Sequence, residues 1–487
     1  MQQAMSEDLV RSIVQDVLAK LQSSGAAAPA PAGCGCKKKP SSNGGNLGVF
    51  PDANSAAAAA REAFEALRLK GMAGRRVVVD IVKRICTAKD EEWGKLEFAE
   101  TKIGRLEHKI AKLQGIRNLP GVEWLQPYGM SGDHGISMEE FTPFGVVGAI
   151  TPVTHSIPTL SCNIINIVAA GNTVVFNAHP GGAKCAAEAV RTFNREIERE
   201  LGIPNIVTII ETPTLDSFND LCKSPDVSIL VITGGPGVVK AAMASGKRAI
   251  CAGPGNPPVV VDESARLDKA AKDIIFGASF DNNLLCIGEK QIFVLDKVYR
   301  DFIESFKRAG AAQLNDRELA AVTAEAFSTA KGAGGCSHPV LNRELVGASA
   351  EKLAQIAGRS VPSGTELLFA ETDLNHLFVQ EEQMMSLVPI VKVRDIREAV
   401  EFSKQSEHGY KHSAMIHTLN VDHMTLMAKA LDTTLFIKNG ACLAGLGSGG
   451  EGYASFSIAT TTGEGITTPM TFTRKRRCVM VDNLNQF

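Results

Sequence analysis

From Phe144 the chain alternates short apolar runs with turn residues, an order that only a few architectures satisfy. Gly145-Val-Val-Gly-Ala-Ile150 reads as a strand, about Thr159 to Ala170 as a helix, and Asn172-Thr-Val-Val-Phe-Asn177 as a second strand. A further unit follows: Ile206-Val-Thr-Ile-Ile210, a helix near Leu215 to Cys222, and the run Val227-Ser-Ile-Leu-Val-Ile232. Strand, helix, strand is the unit of a parallel sheet, so the chain is expected to be α/β. The turn Thr233-Gly-Gly-Pro-Gly237 then opens a helix from about Val238 to Ala244. Such a turn lets backbone approach a pyrophosphate and aims helix N–H groups at it. Its spacing departs from G-x-G-x-x-G, so taken alone it serves equally as a structural turn.

Size and charge narrow the setting. With 487 residues, 44% of them hydrophobic, the chain can bury more than one core and should form two or three domains. A formal net charge of −2 gives no electrostatic reason for nucleic acid or an anionic membrane as partner. No apolar stretch reaches the ~20 residues of a membrane span, and the N-terminus lacks the basic-then-apolar order of a secretory signal. The 11 cysteines are an odd number without a disulfide framework. A reducing, cytoplasmic setting is expected.

The first residues read as an appendage. Leu9, Val10, Ile13, Val14, Val17, Leu18 and Leu21 recur at the spacing of one helical face between Ser6 and Gln22, with Ser6 as cap. The residues that follow, to about 46, are rich in Ala, Pro, Gly and Ser and read as a flexible linker. So short a helix needs a surface to dock on, either a partner's groove or its own domain. Cys34 and Cys36 in the linker are two thiols where a structural zinc site takes four ligands.

Cys286 has the surroundings of a nucleophile. It lies in Phe280-Asp-Asn-Asn-Leu-Leu-Cys-Ile-Gly-Glu-Lys290, between a polar loop and the strand-like run Gln291 to Leu295. A thiol there can act as a thiolate where donors lower its pKa. From this segment alone a buried structural thiol fits as well. The histidines offer no H-x₃-H pair on a helix, and His408, His412 and His417 fall on a segment of strand character, so no catalytic metal is expected.

The order and spacing of several segments carry a resemblance. They are Thr151-Pro-Val-Thr-His-Ser-Ile-Pro158, Asn177-Ala-His-Pro180, Ile232-Thr-Gly-Gly-Pro-Gly237, Cys286-Ile-Gly-Glu289, Phe378-Val-Gln-Glu-Glu-Gln383, Gly409-Tyr-Lys-His-Ser-Ala414 and Gly463-Glu-Gly-Ile-Thr-Thr-Pro469. From about Asn46 onward the chain resembles the aldehyde dehydrogenase superfamily. Within it, the likeness is to the coenzyme A-acylating propionaldehyde and acetaldehyde dehydrogenases of bacterial microcompartments. The resemblance implies an aldehyde dehydrogenase fold, with a Rossmann-like dinucleotide-binding domain, an α/β catalytic thiol domain and a small oligomerisation arm. The corresponding spans are 1–22 for an encapsulation helix, 23–46 for the linker, 47–264 for dinucleotide binding with an arm near 119–144, 265–440 for catalysis, and 441–487 for a C-terminal segment with an oligomerisation strand. A homo-oligomer, dimer or tetramer, is implied.

Roles follow from the same resemblance. Cys286 becomes the nucleophile that forms a thiohemiacetal and then a thioester, with NAD as hydride acceptor. The cofactor contacts fall on Thr151, Pro152, Asn177, His179, Pro180, Gly234, Gly235, Gly237 and Gly253, with Glu382 at the nicotinamide ribose. Hydrolytic relatives carry a Glu-Leu-Gly-Gly segment whose Glu activates water; here it reads Ala252-Gly-Pro-Gly255. Losing a general base commonly costs ~10²–10⁴ in rate, whereas a thiol with a pKa of about 8.5 needs far less activation. Coenzyme A is therefore the implied acyl acceptor, unless Glu289 or Glu382 replaces the missing base. The side-chain oxyanion donor of relatives falls on Thr154, with His155 beside it. Leu284 and Leu285 favour a small apolar aldehyde. The basic run Arg474 to Arg477 suits phosphates, solvent or a subunit contact equally. The implied activity is NAD-dependent oxidation of propionaldehyde or acetaldehyde to the acyl-coenzyme A, in a microcompartment whose shell proteins receive the N-terminal helix. A hydrolytic dehydrogenase and a non-catalytic scaffold are the competing readings.

Overall fold

The computed structural model describes residues 46–331, 337–482 and 484. The expected helix at 6–22, the linker up to residue 45, and Cys34 and Cys36 lie outside the described residues.

Six parallel strands form the first sheet in the order Val49–Phe50, Val207–Ile210, Thr173–Ala178, Val146–Thr151, Val227–Thr233 and Arg248–Ala252. The central strand Thr173–Ala178 is buried along its whole length, as expected where helices cover both faces of a parallel sheet. Helix Ser156–Ala169 is buried all round. It begins three residues before the expected start at Thr159, because Pro158 falls in the first turn, where a missing N–H costs nothing. The long helical run Ala53–Ala88 lies against this sheet and breaks at Gly71, where φ is 59° and ψ −153°. Asp52 caps it by accepting from Ser55 N–H at 2.9 Å.

Seven parallel strands make the second sheet: Ala312–Leu314, Leu368–Thr372, Leu387–Val393, Gln291–Leu295, Pro258–Val261, Ser413–His417 and Leu435–Lys438. The chain passes from the first sheet to the second between Ala252 and Pro258. A division at 264/265 therefore falls one strand later than the passage itself. The C-terminal stretch also rejoins both sheets' surroundings: Cys442, Leu443 and Ile458 pack in the core of the second, and Ala459 and Phe472 in that of the first.

Tyr128–Gly132, Gly135–Pro143 and Thr473–Val481 form a separate antiparallel sheet. It carries the basic run: Arg476 pairs with Glu140 at 3.2 Å and Arg477 with Glu139. Among the described residues no helix is long and apolar enough to cross a membrane.

Asn172, fully buried, joins the arm, the first sheet and the C-terminal stretch. Its Oδ1 accepts from Phe144 and Gly145 N–H at 2.7 and 3.0 Å, and its Nδ2 donates to Phe472 O at 2.9 Å. Asn172→Ala orphans these groups and is expected to cost on the order of 3 kcal/mol, read as a lower urea midpoint.

Candidate active site

The C-terminal ends of four strands of the first sheet, Val146–Thr151, Thr173–Ala178, Val227–Thr233 and Arg248–Ala252, open into a cavity of about 620 Å³. This is where ligands bind in open α/β sheets. Thr151, Pro152, Thr154 and His155 line it from the first strand end, Asn177, His179 and Pro180 from the second, Gly234 and Gly235 from the third, and Gly253 from the fourth. Cys286 and Glu382 also line it. Of the anticipated residues, Gly237 alone stays outside the lining: it is exposed, inside helix Pro236–Met243. A Cβ at Gly234 or Gly235 would meet nothing within 4 Å, so a ligand can approach that backbone. Thr151 lines this cavity, and its Oγ1 is buried without a hydrogen-bond partner among the described residues. Asn177 is less free: Nδ2 donates to Thr214 O at 3.3 Å and Oδ1 accepts from Ser217 Oγ at 2.8 Å.

A second cavity, of about 450 Å³, meets the first at Cys286, His155, Phe456 and Ile458. Leu284 lines the larger and Leu285 the smaller. The thiol thus stands at a junction, open to a long cleft on one side and a largely apolar pocket on the other. Phe456, Ile458, Leu443 and Lys112 come to this junction from segments without a recognisable motif, and sequence reading passed over all of them.

The loop carrying the thiol is held in an unusual shape. Asp281, Asn282 and Asn283 follow one another at φ of 52°, 55° and 62°, a left-handed region that Asp and Asn tolerate better than most residues. Each side chain is tied down. Asp281 accepts from Arg105 N–H at 2.8 Å, Asn282 donates to Gly347 O at 2.8 Å, and Asn283 donates to Glu289 O at 3.0 Å. Behind the thiol, a Cβ on Gly255 would lie 2.7 Å from Cys286 O and 2.8 Å from His412 Cγ. Only glycine lets the inter-sheet passage run between them.

Burial pushes the Cys286 thiol up to about 12, and the Glu382 carboxylate pushes the same way. Lys290 and the backbone N–H groups of Cys286 and Ile287 oppose this. Lys290 is itself fully buried, its ammonium donating to Asn283 O at 2.7 Å, Asn283 Oδ1 at 2.8 Å and Gln383 O at 3.2 Å. Glu382 is raised by burial against the pull of Lys290. His155 is held well below its ordinary value by burial and by Lys112, so its ring is neutral.

Glu289, weighed as a substitute base, faces away. Its Oε1 accepts from Cys442 N–H at 2.8 Å, burial raises it to about 7, and it lines neither cavity. At position 252 the cavity wall is the methyl group of Ala252. The histidine segment divides differently from expectation. His417 ends strand Ser413–His417, His412 precedes it, and His408 caps helix Ile396–Glu407 in the left-handed region. His412 is buried, with Nδ1 2.8 Å from Ser413 Oγ, and burial lowers it to about 4. Asp262, Glu263 and His423 bring ligand atoms within 4.8 Å of one another, but Asp262 is already engaged by Ser264, Thr418 and His423.

A cysteine where two cavities meet, on paired parallel sheets, places the chain among α/β proteins with a thiol facing a ligand-sized cleft. Residues 48–457 match the aldehyde dehydrogenase family. The acetylating acetaldehyde dehydrogenase EutE of Salmonella typhimurium is 38% identical over 480 residues, 98% of this chain and 99% of that protein. The crystal structure of Rhodopseudomonas palustris propionaldehyde dehydrogenase, with bound CoA and an acylated cysteine, superposes with a TM-score of 0.85 at 39% identity, covering 89% of this chain and 98% of that one. A propionaldehyde dehydrogenase from the Clostridium phytofermentans fucose utilisation bacterial microcompartment reaches 0.86 at 40% identity, over 91% and 100%. The chain belongs to the aldehyde dehydrogenase family.

Glu382→Gln removes the negative neighbour of the thiol and is expected to lower its pKa. Alkylation of Cys286 by iodoacetamide at fixed pH, followed by mass spectrometry, should speed up about threefold for each unit the pKa falls, since weaker nucleophilicity partly offsets the larger thiolate fraction.

Proposed function

We propose that the chain oxidises a short-chain aldehyde, propionaldehyde or acetaldehyde, to its acyl-coenzyme A in an NAD-dependent reaction through Cys286. The observation that carries this reading is the junction itself: a thiol reached from two cavities, with no carboxylate at position 252 and Glu289 turned away. The larger cleft suits a dinucleotide, with open backbone at Gly234 and Gly235 and an unpartnered Thr151 hydroxyl. Thr151, Asn177, His179, Gly234, Gly235 and Glu382 would hold a nicotinamide dinucleotide there, and it would supply the hydride acceptor.

Cys286 Sγ adds to the aldehyde carbonyl carbon, forming a C–S bond as the carbonyl becomes an oxyanion. The backbone N–H of Cys286, with Thr154 or His155, offers donors to that oxygen. As a neutral ring, His155 acts by donating a hydrogen bond. Loss of hydride from the same carbon restores the carbonyl and leaves a thioester on Cys286. The thiolate of coenzyme A then attacks, the bond to Cys286 breaks, and the enzyme thiolate leaves. In a site where the free thiol sits near 12, thiolate is only ~10⁻⁵ of the total at pH 7. Lys290 is the cation that favours it.

The reading extends to place and assembly. It sets the enzyme in a bacterial microcompartment, with residues 6–22 engaging shell proteins and the sheet containing Thr473–Val481 pairing subunits into a dimer or tetramer. Support comes from the microcompartment relative and from the exposed strand Thr473–Val481.

Two measurements test this. NADH formation from propionaldehyde and NAD⁺ should require coenzyme A and yield propionyl-coenzyme A by mass; steady turnover to free propionate without coenzyme A would refute the acylating reading. Deletion of residues 1–46 should leave kcat unchanged while the protein no longer co-purifies with shells; retention in shells would refute the role given to residues 6–22.

A further inference from the structure

Two buried ion pairs meet at the loop of Thr154 and His155, and neither belongs to the chemistry described above. Lys109 donates to Glu97 Oε1 at 3.0 Å, and Lys112 is paired with Asp281. All four residues are at most 4% exposed. The pairs converge on one acceptor, the carbonyl oxygen of Thr154, 3.5 Å from Lys109 Nζ and 3.4 Å from Lys112 Nζ. Each pair then continues into backbone. Glu97 Oε2 accepts from Ile157 N–H at 2.9 Å, in the first turn of helix Ser156–Ala169. Asp281 Oδ1 accepts from Arg105 N–H at 2.8 Å, and Asp281 N–H donates to His108 Nδ1 at 2.8 Å.

The result is one continuous buried chain of polar contacts, from Ile157 through Glu97, Lys109, Thr154 O and Lys112 to Asp281. It joins two loops from different parts of the fold. One presents Thr154 and His155, and the other, with its left-handed run, presents Cys286. Lys112 is the link at which the two loops meet, and it also lines the smaller cavity.

A buried ion pair is weak evidence for stability, since two desolvated charges can often be replaced together without loss. Its geometry is another matter: Lys112 fixes the distance between the carbonyl of Thr154 and the carboxylate of Asp281. We propose that Lys112, acting with Asp281, is a positioning residue that sets the oxyanion-side loop of Thr154 and His155 against the sulfur of Cys286. The proposal rests on Cys286 as nucleophile but on no particular aldehyde or acyl acceptor.

The test compares Lys112→Met with the double variant Lys112→Met/Asp281→Asn in the full-length enzyme. Asparagine keeps the left-handed backbone tolerance and the acceptor for Arg105 N–H while removing the charge. Lys112→Met alone strands a buried carboxylate and should lower both the thermal midpoint and kcat. The double variant should recover the thermal midpoint and bind NAD as the parent does. Its kcat should still be down about 10²-fold, the effect of roughly 1 Å of misplacement, at little-changed aldehyde KM. Alkylation of Cys286 by iodoacetamide should also remain altered. Recovery of kcat together with stability would reduce the pair to scaffolding and overturn the proposal. Should the double variant not fold, Lys112→Arg keeps the charge but moves the contact to Thr154 O; parental kcat in that variant would equally overturn it. The alkylation readout needs no substrate, so a failure of the acylating reading leaves this inference separately testable.

Discussion

Desolvation of the Cys286 thiol is the constraint around which the site is arranged. A thiol at the meeting of two cavities and pushed up to about 12 is inert until something offsets the cost of a buried negative charge. The fold works against that cost from behind, through a lysine with no access to solvent, without cancelling it. Three oxygens of Asn283 and Gln383 hold Lys290 in place, so its charge acts across the loop without occupying the cavity. Glu382 opposes it from the cleft side. A ligand that covers or neutralises Glu382 would therefore change the thiol as well as fill the cleft, which couples occupancy of the larger cavity to the state of Cys286.

Placing such a thiol requires backbone shapes that ordinary loops avoid. Three successive left-handed residues, at ~1–3 kcal/mol each for non-glycine residues, persist because each side chain is locked by a separate partner. The passage between sheets must also squeeze past Cys286, and at Gly255 there is no room for a Cβ. The two sheets are thus joined right beside Cys286. A small shift of one sheet against the other would be felt first at Cys286.

Much of this was legible in the sequence, for physical reasons that also set the limit. Strands of a parallel sheet covered on both faces are continuous apolar runs, so Thr173–Ala178 and Val227–Thr233 lie within a residue or two of expectation. The glycine turn at Gly234 and Gly235 falls on the cavity lining, and Cys286 lies at the meeting of two cavities, because backbone freedom and a polar loop leave local marks in a sequence. Burial of charge leaves none. Nothing in the sequence marks Lys109, Lys112 and Lys290 as buried, and only the fold shows them enclosed. Glu289 sits three residues from the thiol in sequence yet turns to Cys442. Arg474 to Arg477, equally suited to phosphate or solvent as a string of charges, fall on an exposed strand facing Glu139 and Glu140. Pairings between distant segments decide each of these cases.

The same reasoning bears on why an acyl group held here would await a thiol rather than water. Hydrolysis needs a carboxylate aimed at a water molecule beside the thioester. Among the candidates, position 252 offers a methyl group and Glu289 a carboxylate occupied elsewhere. Glu382 does line the cleft, but burial raises it and Lys290 is its nearest compensating charge. Drawing a proton from water, with a pKa of about 15.7, asks far more of that carboxylate than capturing one from a thiol near 8.5. Water therefore depends on a general base aimed at it, whereas a thiol about seven units more acidic needs far less of that help. A co-substrate that arrives as a thiol meets much less of that barrier, so a site that has lost its water-activating base keeps the energy of the thioester instead of dissipating it.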